Sequence, residues 1–417
     1  MDIFEKLESQ VRIYSRMFPA VFDKAKGPFI YDEHGKEYID FFAGAGVINY
    51  GHNNPTINDA MIEYIRQNRI IQGLDKFTVA RREFLEKFDS FILKPRNLDY
   101  KIQFCGPTGT NAIEAALKLA RRTKKRTGVI AFTNAFHGLT LGALSITGNS
   151  YYKDDFSMGN MQVTFMPYDR YLGPGIDTSN VLRKFLIDKS SGVNIPAAIV
   201  LETIQAEGGV NVASIEWLQK IEKICKEFDI VLIVDDIQVG NGRSGDFFSF
   251  ERAQIKPDIV ALSKSIGGGM PLSILLIKPE LDIWKPGEHT GTFRGNNLSF
   301  VAGAKALEFW KTNEFSNSIK EKSKLLKILL QSTMAKHPDL ITEIRGCGLI
   351  AGMVIPGNGI CAKVSKEAFK QGVIIETAGV RSEVLKFLPP LTIDEKTLKK
   401  GVDILELSID KVAMSLP

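Results

Sequence analysis

The sequence predicts an α/β protein: a large, mostly parallel seven-stranded sheet covered by helices, with a smaller α+β unit beside it. Three observations carry this expectation. Between about residues 100 and 280, short apolar runs alternate with amphipathic stretches, the rhythm of βαβ units. Several runs, such as Ile230-Val231-Leu232-Ile233-Val234, are apolar throughout, which is how strands covered on both faces read. Beyond about residue 296 the pattern turns helical and then closes in a short mixed segment.

Taken in order, the first fifty or so residues read as an arm. It contains a hairpin over 29–39 that turns at Asp32-Glu33-His34-Gly35. Strands are expected at 101–105, 128–132, 162–166, 197–201, 230–234, 259–262 and 272–277. Ile113, Leu117 and Ala120, at helical spacing, mark a helix after the first of them. Helices follow over 298–312 and through a Lys-rich stretch to Leu330, and strands at 348–354 and 373–376 close the chain. The expected division is an arm over 1–55 belonging to the small unit, a large cofactor-binding unit over 56–295, and a small unit over 296–417. The first and last parts should pack together.

Composition sets the class. A chain of 417 residues can bury a large core without disulfides or structural metals. Its 44% apolar and 24% charged residues are ordinary for a soluble globular protein. The net charge of +5 arises from 53 basic and 48 acidic residues spread along the chain, so no basic block points to nucleic acid. Cys105, Cys225, Cys347 and Cys361 have no metal-ligand spacing and read as reduced thiols. The start, Met1-Asp2-Ile3-Phe4-Glu5-Lys6, lacks a signal pattern, and no apolar run approaches the roughly 18 residues of a membrane span. A cytoplasmic protein without membrane contacts is expected.

Open α/β sheets bind ligands beyond the carboxyl ends of their strands, and four segments sit there. Gly106-Pro107-Thr108-Gly109-Thr110-Asn111 lies between a strand and a helix. Gly109 and Thr110 could cradle a phosphate on the helix start, or the segment could be a turn capped by Thr. Asp235 and Asp236 follow the most apolar strand. Asp235 could pair with a buried cation such as a protonated pyridine nitrogen; a metal site or capped loop is the alternative, weakened by the lack of nearby His or Cys. Lys264, in Ser263-Lys264-Ser265-Ile266-Gly267-Gly268-Gly269, suits Schiff-base chemistry if its pKa is lowered, or is a solvated surface lysine. Phe136, in Phe136-His137-Gly138, could stack on a flat heteroaromatic ring or pack in the core. Asp235 and Lys264 lie about one crossover unit apart and should end neighbouring strands. Phosphate cradle, stacking aromatic, acid and lysine on one rim are the parts a pyridoxal phosphate site needs.

These residues resemble the class III, or ω-amino acid, aminotransferases of fold type I. The likeness is carried by the stretch from Leu232-Ile233-Val234-Asp235-Asp236-Ile237-Gln238 to Gly245, by the Lys264 segment, and by His289-Thr290-Gly291-Thr292-Phe293-Arg294-Gly295-Asn296. It implies pyridoxal 5′-phosphate on Lys264, Asp235 at the pyridine nitrogen and Gln238 on the phenolic oxygen side. It also implies Phe136 on the ring and Gly109 and Thr110 at the phosphate. Thr292 would reach the phosphate of a neighbouring subunit, implying a homodimer with shared sites. Asn49-Tyr50-Gly51-His52-Asn53-Asn54-Pro55 and Leu281-Asp282-Ile283-Trp284-Lys285-Pro286-Gly287-Glu288-His289 narrow the likeness to the branch pairing L-2,4-diaminobutanoate with 2-oxoglutarate. Members acting on 4-aminobutyrate, ornithine or acetylornithine, and a catalytically silent binding protein of the same fold, are the other readings. Two positions depart from the family. Lys386 stands before Phe387-Leu388-Pro389-Pro390 where many members carry a carboxylate-clamping Arg, and Asp236 stands where most have Glu. A lysine offers a point charge instead of a fork, so Arg381 is a further candidate for the substrate carboxylate. By the resemblance Glu207 would gate the cation, which predicts a Glu207–Lys386 pair.

Overall fold

The computed structural model describes residues 2–153 and 161–416. Its main sheet has seven strands in the order Lys101–Phe104, Ile274–Ile277, Ile259–Leu262, Val231–Asp235, Ala198–Leu201, Val129–Phe132, Val163–Met166. The last five are mutually parallel. Ile274–Ile277 runs antiparallel to both of its neighbours. All seven apolar runs of the sequence are therefore strands of one sheet.

The continuous apolar runs have a simple cause. Alternate strand residues point to opposite faces, and here each face has its own core. Leu232 and Val234 pack with Trp217, Leu218 and Ile221 of the helix Ile215–Glu227 on one side. Val231 and Ile233 pack with Ile113, Leu117 and Ala120 of the helix Gly109–Lys124 on the other. Ile259 and Ala261 divide from Val260 and Leu262 in the same way. Burying each such side chain contributes roughly 1.5–3 kcal/mol, so neither face tolerates a polar residue before the strand ends.

The arm's hairpin pairs Phe29–Asp32 with Glu37–Asp40 in the register Phe29↔Ile39. Asp32 closes the turn by accepting the N–H groups of His34 (3.0 Å) and Lys36 (2.9 Å). A further strand, Phe22–Lys26, joins its outer edge; its mostly exposed, Lys-rich sequence gives little sign of it. On the inner edge Val373–Ile374 pairs in parallel with the strand Glu37–Asp40, so arm and closing segment share one four-stranded sheet.

Residues 373–376 are not the single strand the sequence suggests. The chain leaves the arm's sheet at Ile375, whose carbonyl accepts from Ser365 Oγ at 2.6 Å. It then enters a second four-stranded sheet as Glu376–Ala378, antiparallel to Val384–Phe387. The neighbouring pair Glu343–Cys347 and Ile350–Val354 turns at Gly348. There φ is +67°, and a Cβ would come within 2.3 Å of the Ser244 backbone. The arrangement ties this second sheet to the loop after Val231–Asp235.

Candidate active site

Asp235 is the last residue of a fully buried strand, where the backbone leaves the sheet and a carboxylate first meets a cleft. Its Oδ1 accepts the N–H of Ile237 at 3.1 Å, and its Oδ2 lies 2.7 Å from His137 Nδ1. His137 is itself fixed, since its backbone N–H donates to Thr147 Oγ1 at 3.0 Å. Its buried Nε2 has no hydrogen-bond partner among the described residues.

Lys264 follows the adjacent strand by two residues, with φ at +54°, a left-handed conformation unusual for lysine. Its Nζ donates to the carbonyl of Ala45 at 2.8 Å. Burial pulls its pKa down to about 8, against an opposing pull from Glu207. The same Ala45 carbonyl accepts from Gln238 Nε2 at 2.9 Å, so the arm reaches into the site through its backbone.

The helix Gly109–Lys124 begins at the same rim. Thr108 occupies its N-cap position without capping it, because the hydroxyl donates to Asn111 Oδ1 at 3.0 Å instead. The first-turn N–H groups and the positive end of the helix dipole are thus left for an anion. Gly109 is required by close approach, since a Cβ there would come within 2.9 Å of Ile237. Thr110 Oγ1 lies 2.7 Å from Thr140 Oγ1, which in turn bonds Glu114.

Two further acids line the cleft. Glu202 accepts the N–H of Phe136 at 3.1 Å, and burial, then the charge of Asp235, push its carboxyl well above the usual range. Glu207 accepts from Lys386 Nζ at 2.6 Å and from Gln238 Nε2 at 3.1 Å. Burial pushes Glu207 up, but Lys386 and Lys264 outweigh it and hold the carboxyl below its ordinary value.

Lys386 is fully buried on the strand Val384–Phe387, directly across from Glu376. Its Nζ is 3.0 Å from Glu376 Oε1, so two carboxylates share it. Burial would lower the pKa of Lys386, but Glu207 and Glu376 together raise it above that of an ordinary lysine. Burial also lifts Glu376 to about 7, against the pull of Lys386.

One cleft of about 580 Å³ is lined by Gly109, Thr110, Phe136, Glu207, Asp235, Gln238 and Lys264. Seven residues singled out in the sequence thus meet in one place, and Lys386 lies beneath them. A second cleft of about 1130 Å³ adjoins it at Phe136 and Glu207 and extends to Tyr14, Tyr152 and Glu376. Two candidates lie elsewhere. Arg381 is exposed and lines a groove with Arg170 and Arg345 that shares Asn134, Gly208 and Val380 with the second cleft. A turn closed by the Ser382 N–H on the Gly379 carbonyl sets it there, outside the Lys264 cleft. Thr292 is exposed outside the cleft, where its carbonyl accepts from Gln72 Nε2 at 2.8 Å. The sequence reading missed His137 as the partner of Asp235, Glu202, Glu376 and the Ala45 carbonyl. Only His137 had a signal, standing next to Phe136.

An uncapped helix start, a fixed carboxylate and a buried amine with lowered pKa match the phosphate, ring nitrogen and aldehyde of pyridoxal phosphate. No His, Cys, Asp or Glu cluster suited to a metal occurs among the described residues. No helix among them is long and apolar enough to cross a membrane.

Comparison with known proteins bears on the same site. The aminotransferase class-III family profile matches residues 11–409. A protein of Wolinella succinogenes named diaminobutyrate–2-oxoglutarate transaminase is 58% identical over 412 residues, covering 99% of this chain and 96% of that one. One of the same name from Halalkalibacterium halodurans is 53% identical, covering 98% and 96%. Among solved structures, an ornithine aminotransferase from Toxoplasma gondii, described as having partial occupancy of PLP at its active site, superposes with a TM-score of 0.86. It is 25% identical, covering 99% of this chain and 94% of that one.

Proposed function

This chain belongs to the class III aminotransferase family, and on that premise we propose that it transfers the 4-amino group of L-2,4-diaminobutanoate to 2-oxoglutarate. The products are L-aspartate 4-semialdehyde and L-glutamate. One observation carries the chemistry: Lys264, Asp235 and the open helix start at Gly109 and Thr110 face a single cleft. The substrate assignment rests on the relatives that share more than half of the sequence.

Membership of the family implies use of pyridoxal phosphate, which when bound supplies an electron sink for the substrate's amine-bearing carbon. Gly109 and Thr110 would hold its phosphate, Asp235 its ring nitrogen, Phe136 its ring face, Gln238 the side of its phenolic oxygen, and Lys264 its aldehyde carbon. Lys264, with a pKa near 8, keeps a useful neutral fraction close to neutral pH and so serves as nucleophile. With the cofactor bound, Lys264 Nζ would be the group placed to take the proton from C4 of the diamino acid and pass it to the cofactor's former aldehyde carbon. The Ala45 carbonyl fixes where that nitrogen starts. His137 and the Ile237 N–H hold both Asp235 oxygens, so the carboxylate presents one orientation.

The two half-reactions bring different charges to the same cleft, and the ion pair between Glu207 and Lys386 suits that need. Closed, it hides the cation from the amine substrate. Opened by movement of Glu207, it offers Lys386 to a carboxylate of 2-oxoglutarate.

The proposal includes a homodimer and the division of the chain near residues 55 and 295. Supporting the dimer, Ile70, Leu74, Phe77 and Phe293 are exposed beside Thr292. The Gly73 N–H bonds the Gly295 carbonyl at 2.8 Å and holds these segments together. A second copy would cover this apolar face, with Thr292 directed to the partner's phosphate site.

Purified protein given L-2,4-diaminobutanoate and 2-oxoglutarate should form glutamate over many turnovers. Ornithine or 4-aminobutanoate as donor should give much less. Lys264→Ala should abolish multiple turnover, and sustained turnover by that variant would contradict the mechanism.

A further inference from the structure

We propose that Glu376 is a specificity-determining residue for the amine half-reaction, the group that receives the ammonium which the diamino acid keeps. The inference rests on the reaction assigned above and deepens it.

Lys386 Nζ stands between two carboxylates, 2.6 Å from Glu207 Oε1 and 3.0 Å from Glu376 Oε1. One carboxylate is enough to balance the lysine. The second, Glu376, has no cation of its own, so keeping it ionised in this buried place costs free energy until another cation or hydrogen-bond donor arrives. Glu376 is almost fully buried, and its Oε1, although 3.0 Å from Lys386 Nζ, makes no well-aligned hydrogen bond among the described residues.

Position argues for a ligand as well. Glu376 lies on a strand, opposite Lys386 in the ladder, so its carboxyl is held by regular backbone on both sides. It also lines the second cleft, which meets the Lys264 cleft at Phe136 and Glu207. A substrate reaching from one cleft into the other passes Glu207 and arrives at Glu376.

The substrate's chemistry fits this order. With its 4-amino group at Lys264, L-2,4-diaminobutanoate carries a C2 ammonium toward the far cleft. A monoamine of the same length, 4-aminobutanoate, has only its carboxylate there. The two differ by one ammonium group, so a site that distinguishes them needs surplus negative charge at that distance. In the far cleft Glu376 supplies it, since Glu207 already matches Lys386.

The test compares the loaded wild type with Glu376→Gln and Glu376→Asp, using both amines and 2-oxoglutarate. In Glu376→Gln the kcat/KM preference for diaminobutanoate over 4-aminobutanoate should fall by about tenfold or more, the worth of a charge-assisted hydrogen bond. The loss should appear in KM rather than kcat, and KM for 2-oxoglutarate should change less than KM for diaminobutanoate. Glu376→Asp keeps the charge and should keep more of the preference than Gln does. It also serves as the informative variant if Gln impairs folding. An unchanged preference, or equal losses for both amines and for 2-oxoglutarate, would reduce Glu376 to a support for Lys386 and overturn the inference. Failure of the wild type to react with diaminobutanoate at all would instead overturn the assigned reaction, and this inference with it.

Discussion

A lysine that acts as nucleophile must lose its proton near working pH, and Lys264 is built to do so. Its pKa of about 8 reflects burial first, so the protonated form is the one the fold disfavours. The sign follows: below pH 8 the neutral fraction falls about tenfold per pH unit, and above it the fraction levels off. Uptake of pyridoxal phosphate by the apoprotein, read as growth of visible absorbance, should therefore quicken up to about pH 8 and then plateau. A rate that keeps climbing to pH 10 would mean that Lys264 is an ordinary exposed lysine. At this scale, Asp235 and Lys264 were legible because each ends an apolar run that has to emerge at the rim. His137, Glu202 and Glu376 were not, because burial and pairing give a side chain its role and neither is written in spacing. The place of Arg381 was hidden for the same reason, since four residues of turn decide which groove it faces.

Elements were legible where packing dictates composition. The seven strands of the main sheet need apolar residues on both faces, and the sequence pays that requirement visibly. The strand Phe22–Lys26, largely exposed, has no such need and left no mark. Residues 373–376 read as one run because β-forming residues continue through a change of sheet. One buried side chain ties the loop after Val231–Asp235 to its surroundings. Arg243 donates through Nη1 to the carbonyls of Leu349 (2.9 Å) and Pro389 (2.5 Å), and through Nη2 to Asn49 Oδ1 (2.6 Å). It thereby joins the arm, the loop and the second sheet. Arg243→Met should lower unfolding free energy by about 3 kcal/mol or more, since it strands several buried acceptors. Urea unfolding measures this, and a loss below about 1 kcal/mol would show that the loop is held by other contacts.

For the whole molecule, the arrangement of sheets brings backbone from the arm, the main sheet and the closing segment to one cleft. An exposed apolar face next to Thr292 suggests that one chain is not the working unit. Phe77 is fully exposed at its centre. Phe77→Asp should shift the protein from dimer to monomer in sedimentation velocity and weaken cofactor retention. A wild type that is monomeric and fully active would remove the shared-site proposal while leaving the Lys264 chemistry in place. The fold was readable from strand ends and their spacing, and the family from the resemblance of the segments around Asp235, Lys264 and Thr292. Assembly was legible only as what the resemblance at Thr292 implies, since nothing in composition or spacing marks Phe77 as a covered residue.

The most direct test of the account is the isolated first half-reaction. The loaded protein, yellow from its cofactor, is mixed with L-2,4-diaminobutanoate in the absence of any 2-oxo acid. The account predicts loss of the visible band with release of one equivalent of aldehyde per site, and return of the band when 2-oxoglutarate is added. A protein that takes up no cofactor, or a band that diaminobutanoate leaves untouched while another amine bleaches it, would contradict it.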